Sequence, residues 1–310
     1  LLETIGLKKT FKRHVAVDDA NLLLKKGESI GLLGPNGAGK STLISMIETL
    51  IKPTEGDVTW NEKSIIKQPD LLRPVLGVVP QEIALYKELS AYENVKFFGK
   101  IYKLTGKELE ERAEAVLKLV GLSDRQKDLV KTFSGGMQRR LNIAVALLHE
   151  PEVIIMDEPT VGIDPQSRNY ILEMVRDLNR EQGLTVLYTS HYMEEVERLC
   201  DRIYIMDNGK VIANGTKEEL IAILSEEESI ELVLEKPIST FKEALEMEPS
   251  ILRVTQESNG LKLIVPKNNR KLTRIFQLAE QHDASITNVN IQIPSLEDVF
   301  LHLTGKKLRD

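Results

Sequence analysis

The sequence predicts a two-part molecule: an α/β body over residues 1–216 with a helical segment at about 88–148, then a smaller α+β domain over 217–310. Three observations predict it. Gly34-Pro35-Asn36-Gly37-Ala38-Gly39-Lys40-Ser41-Thr42 is a glycine-rich turn between an apolar strand and an amphipathic helix. Val153-Ile154-Ile155-Met156 is an apolar run that ends on Asp157 and Glu158. Beyond residue 217, strand and helix patterns succeed one another as β-α-β-β-α-β, the ferredoxin-like order.

The elements follow in chain order. Residues 1–80 are β-rich around the glycine turn, with apolar Val15-Ala16-Val17 before it and the alternating Asp57-Val58-Thr59-Trp60-Asn61 after it. Ser29-Ile30-Gly31-Leu32-Leu33 reads as a short buried strand, and Leu43, Ile44, Met46, Ile47 and Leu50 recur at helical spacing. Leu76-Gly77-Val78-Val79 is a strand stopped by Pro80. Within the helical segment, Leu109, Ala113, Val116, Leu117 and Val120 form one stripe, and Gly121 is a helix stop. Residues Ile171 to Leu178 are amphipathic, Leu184-Thr185-Val186-Leu187-Tyr188 is a strand, and Asp207-Asn208-Gly209 is a hairpin turn. Glu226-Glu227-Glu228 reads as a charged, solvated break. After it come strands 229–235, 251–257, 261–265 and 285–293, and helices 238–247, 270–282 and 295–303, with Ser258-Asn259-Gly260 as a turn.

Composition narrows the function classes. The 310 residues are 42% hydrophobic and 28% charged with net charge -6, an ordinary globular balance without a basic patch, so nucleic acid is not an expected partner. The single cysteine, Cys200, excludes an internal disulfide and reads as a buried thiol on a helix. No apolar run reaches the roughly 18–20 residues of a membrane span, and the N-terminus shows no signal-peptide pattern. A role at a membrane therefore requires docking onto another chain.

The motifs point to phosphate chemistry. A glycine-rich turn between strand and helix aims backbone N–H groups at one point, and the helix start adds partial positive charge. Lys40 can reach β- and γ-phosphates there, and Ser41 can offer a hydroxyl to Mg²⁺. Asp157 emerges at the end of a central strand, where it can hold Mg²⁺, and Glu158 can orient or deprotonate a water. Thr132-Phe133-Ser134-Gly135-Gly136-Met137-Gln138 opens a second helix with a second anion-binding geometry. The bland alternative for it is an N-cap serine followed by two flexible glycines. One chain is not expected to fold both glycine-rich turns onto one phosphate, so the second turn calls for a second subunit.

In this order and spacing, these motifs resemble the nucleotide-binding subunit of an ATP-binding cassette (ABC) transporter, a P-loop NTPase, over residues 1 to about 216. The forms Phe-Ser-Gly-Gly-Met-Gln-Arg-Arg-Leu and Tyr188-Thr-Ser-His-Tyr-Met-Glu-Glu, with the ending Ser295-Leu296-Glu297-Asp298-Val299-Phe300, resemble the bacterial branch that exports drugs and antibiotics. Within that branch the chain is similar to linearmycin-resistance ATP-binding subunits. The signature departs from the commonest Leu-Ser-Gly-Gly-Gln at Phe133 and Met137. Phe11 stands where tyrosine is commoner, although adenine stacking needs only a ring face.

The resemblance implies ATP and Mg²⁺ as cofactors. It implies that Phe11 stacks on adenine, that Gly34 to Thr42 cradle the phosphates, and that Ser134, Gly135 and Gly136 meet the γ-phosphate. Ser41, Gln81 and Asp157 are then metal contacts; Glu158, His191 and Lys40 are the catalytic groups, with His191 sensing the γ-phosphate. Gln81 would relay nucleotide state to the helical segment, and Asp164, an N-cap before Pro165, would also contact the opposite subunit. The partners implied are a second cassette, identical or related, and a separate transmembrane permease, which place the chain on the cytoplasmic face of the membrane. Two other readings stay open at this point: a soluble ABC-type ATPase acting on DNA or ribosomes, and an ATP-gated module that does not hydrolyse.

Overall fold

The computed structural model describes residues 1–190, 192–224, 227–235, 239–257, 260–266, 271–292 and 295–305. The chain divides into two compact units, one built on Leu1–Lys217 and the other on Glu218–His302.

In the first unit, β1 (Leu2–Phe11) and β2 (His14–Leu24) form a long antiparallel pair. Gly6, at φ +56°, and several register shifts bulge β1, which breaks the period-2 signal and hides this strand in the sequence. β3 (Ser29–Leu33) is buried at every residue and leads through the glycine turn into α1 (Lys40–Ile47). The helix stops earlier than its apolar spacing suggests. Glu48 caps it, Thr49 turns at φ +60°, and Leu50 is 72% exposed rather than part of the core. β4 (Glu55–Trp60) and the short β5 (Lys63–Ser64) complete a sheet of order β2-β1-β4-β5.

β6 (Leu76–Val79) precedes the helical segment of α2 (Ala91–Ile101), α3 (Gly106–Leu119) and α4 (Gly135–Ala146). Ser90 and Glu93 close a reciprocal capping box on α2. The stripe Leu109, Ala113, Val116 and Leu117 is buried, and Gly121 at φ +64° ends α3 as a left-handed cap. β7 (Val153–Met156), α5 (Pro165–Gln182), β8 (Thr185–Thr189), α6 (Met193–Leu199), β9 (Arg202–Asp207) and β10 (Lys210–Gly215) follow.

They build a six-stranded sheet of order β10-β9-β3-β8-β7-β6, parallel except for the β9–β10 hairpin. Asn208 and Gly209 both take positive φ in that hairpin, as a two-residue primed turn requires. β7 and β8 are buried throughout, as parallel strands covered on both faces must be. Cys200 is not helical: it follows α6 in extended conformation, and burial pushes its thiol up to about 12.

α7 (Lys217–Ala222) leads into the second unit. There β11 (Glu227–Leu234), α8 (Ser239–Glu246), β12 (Arg253–Glu257), β13 (Gly260–Pro266), α9 (Leu272–Gln281), β14 (Ile286–Gln292) and α10 (Leu296–Thr304) succeed one another. The sheet order β12-β13-β11-β14, antiparallel throughout, is the ferredoxin-like arrangement. Ile230, Leu232 and Leu263 of the sheet pack with Phe241, Leu245 and Ile275 of α8 and α9.

The acidic run is not a solvated break. Glu227 and Glu228 lie in β11, and Glu228 is buried on the face that also carries Ile230 and Leu232, continuing the period-2 alternation. Glu226 and the turn residues Ser258 and Asn259 lie outside the described residues.

Candidate functional site

The site sits where β3 gives way to α1. Gly39, at φ +103°, turns the chain into the helix; a Cβ there would strike the Ala16 carbonyl oxygen, and one at Gly34 would strike that of Met206. Both positions therefore require glycine on packing grounds. Asn36, Gly37 and Ser41 are exposed, while Lys40 is buried and donates from Nζ to the carbonyl oxygens of Gly34 at 2.6 Å and Pro35 at 3.3 Å. Burial pulls the Lys40 ammonium below its ordinary pKa, and Glu158 and Asp157 push it back up.

A cavity of about 560 Å³ opens over this loop, lined by Asn36 to Thr42 together with Phe11, Gln81 and Glu158. The chain segments at residues 11, 36–42, 81 and 158 thus converge on one space. His14, Ala16 and Val161 also line it, and the sequence reading missed them. His14 pairs with Phe11 across the β1–β2 turn, a register invisible without the bulges. Phe11 is 45% exposed, with the Lys9 ammonium 5.1 Å from its ring centroid.

The acidic strand end is held from several sides. Glu158 is 7% exposed and takes φ +48°, a left-handed conformation that costs a non-glycine residue about 1 kcal/mol or more. Its N–H donates to Thr189 Oγ1 at 2.9 Å, and Thr189 Oγ1 donates to Asp157 Oδ1 at 2.7 Å. Gln81 donates its side-chain amide to Glu158 Oε2 at 2.9 Å. Arg139, on α4, donates to the carbonyl oxygens of Pro80 at 2.7 Å and Gln81 at 2.5 Å, tying the glutamine turn to the helical segment. Thr189 and Arg139 stand within the quoted motifs, but their contacts were unforeseen, because they reach residues far along the chain.

Ser134 and Gly135 are exposed and do not line the cavity. Ser134 caps α4, accepting from the Met137 N–H at 3.3 Å. Gly136 is buried, and a Cβ there would collide with the Ser167 side chain. Asp164 accepts from the Ser167 N–H at 2.9 Å as the N-cap of α5, and its hydrogen bonds with Ser167 hold its carboxyl below the ordinary range. His191 lies outside the described residues. Among the described residues no group of three or more His, Cys, Asp or Glu side chains could hold a metal, and no helix is long and apolar enough to cross a membrane.

A phosphate cradle at a helix start, a buried lysine and a paired acidic strand end define a nucleoside-triphosphate site on a parallel sheet. The ABC transporter family pattern matches residues 17–161, and a C-terminal domain pattern of ATP-binding proteins like DrrA1-3 matches 215–304. The linearmycin resistance ATP-binding protein LnrL of Bacillus subtilis (strain 168) is 48% identical over the full length of both chains. The daunorubicin resistance ATP-binding protein DrrA3 of Streptomyces coeruleorubidus is 35% identical over 98% of this chain and 96% of its own. A solved dimeric ATP-binding cassette in a post-hydrolysis state with ADP and Pi is 30% identical, with TM-score 0.63, over 70% of this chain and 98% of that one.

The chain belongs to the ABC transporter family. It is an ATP-binding and ATP-hydrolysing subunit, most similar among the relatives named to the linearmycin resistance protein.

Proposed function

We propose that the chain energises export of hydrophobic drugs or antibiotics through a separate transmembrane permease, as one half of an ATP-clamping dimer on the cytoplasmic face of the membrane. One observation carries this reading. The cavity gathers the phosphate loop, Phe11, Gln81 and Glu158, while Ser134 and Gly135 stand exposed outside it at the start of α4. The first set makes half of an ATP site, and the second is free to complete the site of another cassette.

In this reading Phe11 offers its ring to adenine, and the turn from Gly34 to Thr42 with Lys40 receives the phosphates. Lys40 exchanges its bonds to the Gly34 and Pro35 carbonyls for phosphate oxygens. Mg²⁺ supplies charge neutralisation when bound, and the oxygens of Ser41, Gln81 and Asp157 suit a hard cation. Glu158 takes the proton of the attacking water. Gln81, bonded to Glu158 and clamped by Arg139 of α4, links that carboxylate to the helical segment. His191 is assigned to the γ-phosphate by family resemblance alone. Residues 217–310 are proposed as an accessory domain that supports dimer contacts or regulates the cassette.

The test is phosphate release by the purified chain together with its Glu158→Gln variant. The reading expects ATP binding in both, turnover only in the first, and an ATP-dependent shift to a dimer in size-exclusion elution of the second. Wild-type turnover in the variant contradicts the role given to Glu158. Copurification with a polytopic membrane protein tests the permease.

A further inference from the structure

Behind the acidic strand end lies a second carboxylate with no place in the ATP site. Glu195, on α6, is 2% exposed. A buried carboxylate persists only when its oxygens are satisfied. Here Thr160 Oγ1 lies 2.8 Å from both oxygens, and Tyr188 and Ser190 donate to Oε2 at 2.8 and 2.6 Å. Arg168 Nε of α5 forms an ion pair with Oε1 at 3.3 Å, and its guanidinium lies 4.1 Å over the Tyr192 ring. Ser190 Oγ in turn accepts the Tyr192 N–H at 2.9 Å. Burial and then Glu195 itself hold the Tyr188 phenol well above its ordinary pKa, so Tyr188 remains a donor.

The donors are not scattered. Tyr188 and Ser190 flank Thr189, the residue that accepts the Glu158 N–H and donates to Asp157. Thr160 stands two residues beyond Glu158. Glu195 therefore grips both the chain segment that carries the acidic pair, at Thr160, and the segment that hydrogen-bonds it, at Tyr188 and Ser190. Glu158 needs such a grip, because a left-handed φ at a non-glycine residue persists only where the surroundings over-determine it. We infer that Glu195 is a positioning residue for ATP hydrolysis: it locks Thr160, Tyr188 and Ser190 so that Glu158 keeps its strained backbone and its aim at the attacking water.

The inference rests on the reading of Glu158 as the base, and the experiment separates the two. Full-length Glu195→Gln, Glu158→Gln and wild type are compared for ATP affinity by equilibrium titration, for the number of sites titrated, and for turnover per titrated site. Glu195→Gln keeps the shape of the side chain but removes its charge and turns an amide donor toward hydroxyl donors.

The expected result is ATP affinity within about threefold of wild type and turnover per site lower by about 10–100-fold, the scale of a small misplacement at a reacting centre. A purely structural role would reduce the number of titrated sites and leave turnover per site unchanged. Thr160→Val and Ser190→Ala each remove one donor, and each is expected to lower turnover per site several-fold. Added to Glu195→Gln they should lower it little further, because the partner is already lost. They also serve should Glu195→Gln fail to fold.

Wild-type turnover per site in Glu195→Gln, or in both donor variants, overturns the inference. If Glu158→Gln is inactive in the same series, the reading of Glu158 survives that result. If Glu158→Gln turns over normally, the reading and the inference fall together.

Discussion

Two glycine-rich helix starts in one chain have been put to different structural use. At α1, the turn from Gly34 to Thr42 is enclosed: Lys40 is buried, Gly34 and Gly39 are pressed against carbonyl oxygens, and a cavity opens above. At α4, Ser134 and Gly135 are exposed, and a Cβ on Gly135 would meet nothing within 4 Å. Only Gly136 is constrained, by the Ser167 side chain. The first start is built to hold a ligand with this chain's own groups. The second carries the same backbone donors with no enclosure of its own, and its glycine at 135 has no explanation within the chain. In the proposed dimer this exposed start receives the phosphate that the other cassette brings.

The largest effect expected tests the chemistry at the enclosed start. Glu158→Gln should lower turnover by about 10²–10⁴-fold with ATP affinity kept, since a positioned general base is worth that much. Next, Lys40→Ala should weaken ATP binding by about 10–100-fold, the scale of a charge-assisted hydrogen bond removed, as read by equilibrium titration. Equal affinity in mutant and wild type would detach the loop from the ligand.

The exposed start is tested by Gly135→Ala. The added methyl meets open space, and alanine favours the helix, so the melting temperature should hold or rise slightly and ATP binding to the isolated chain should not change. Turnover should nevertheless fall about tenfold, because a donor surface meant for another chain's phosphate is crowded. Unchanged turnover would leave the glycine unexplained and blur the contrast between the two starts.

The smallest effect lies at the other end of α1. Burial, then Asp157, raises the Glu48 carboxyl from 4.5 to about 7. The sign is opposite to that of a salt-bridged acid. Below pH 4.5 both folded and unfolded chains hold the proton and nothing is lost. Between pH 4.5 and 7 the unfolded chain ionises first, so folding weakens as pH rises. Discounted for partial exposure, the loss is about 1–2 kcal/mol above pH 7. Glu48→Gln should therefore raise the melting temperature at pH 8 and leave it unchanged near pH 4.5.

The glycine turn, the acidic strand end and the ferredoxin-like order were legible because each rests on local pattern. β3, β7 and the α3 stripe are runs or periods that burial alone enforces. What stayed hidden was non-local. β1 is bulged at Gly6, so its alternation is lost until its partners β2 and β4 are known. Thr189, Arg139 and Glu195 act through contacts to residues 31, 58 and 35 positions away, and none belongs to a spacing that repeats. The acidic run at Glu227 and Glu228 was misjudged because charge outweighed the alternation that puts Glu228 inside.

The central claim is that ATP is shared between the enclosed start of one chain and the exposed start of a second, and it can be tested directly by cross-linking. Cys200 is the only native thiol, and burial holds it well above the reactive range, so the background is low. Asn36→Cys and Ser134→Cys are placed together in the Glu158→Gln chain and treated with a short thiol-reactive cross-linker. The account predicts a covalent dimer that forms with ATP and not without it. A cross-link confined to the single chain, or a dimer yield indifferent to ATP, would contradict it.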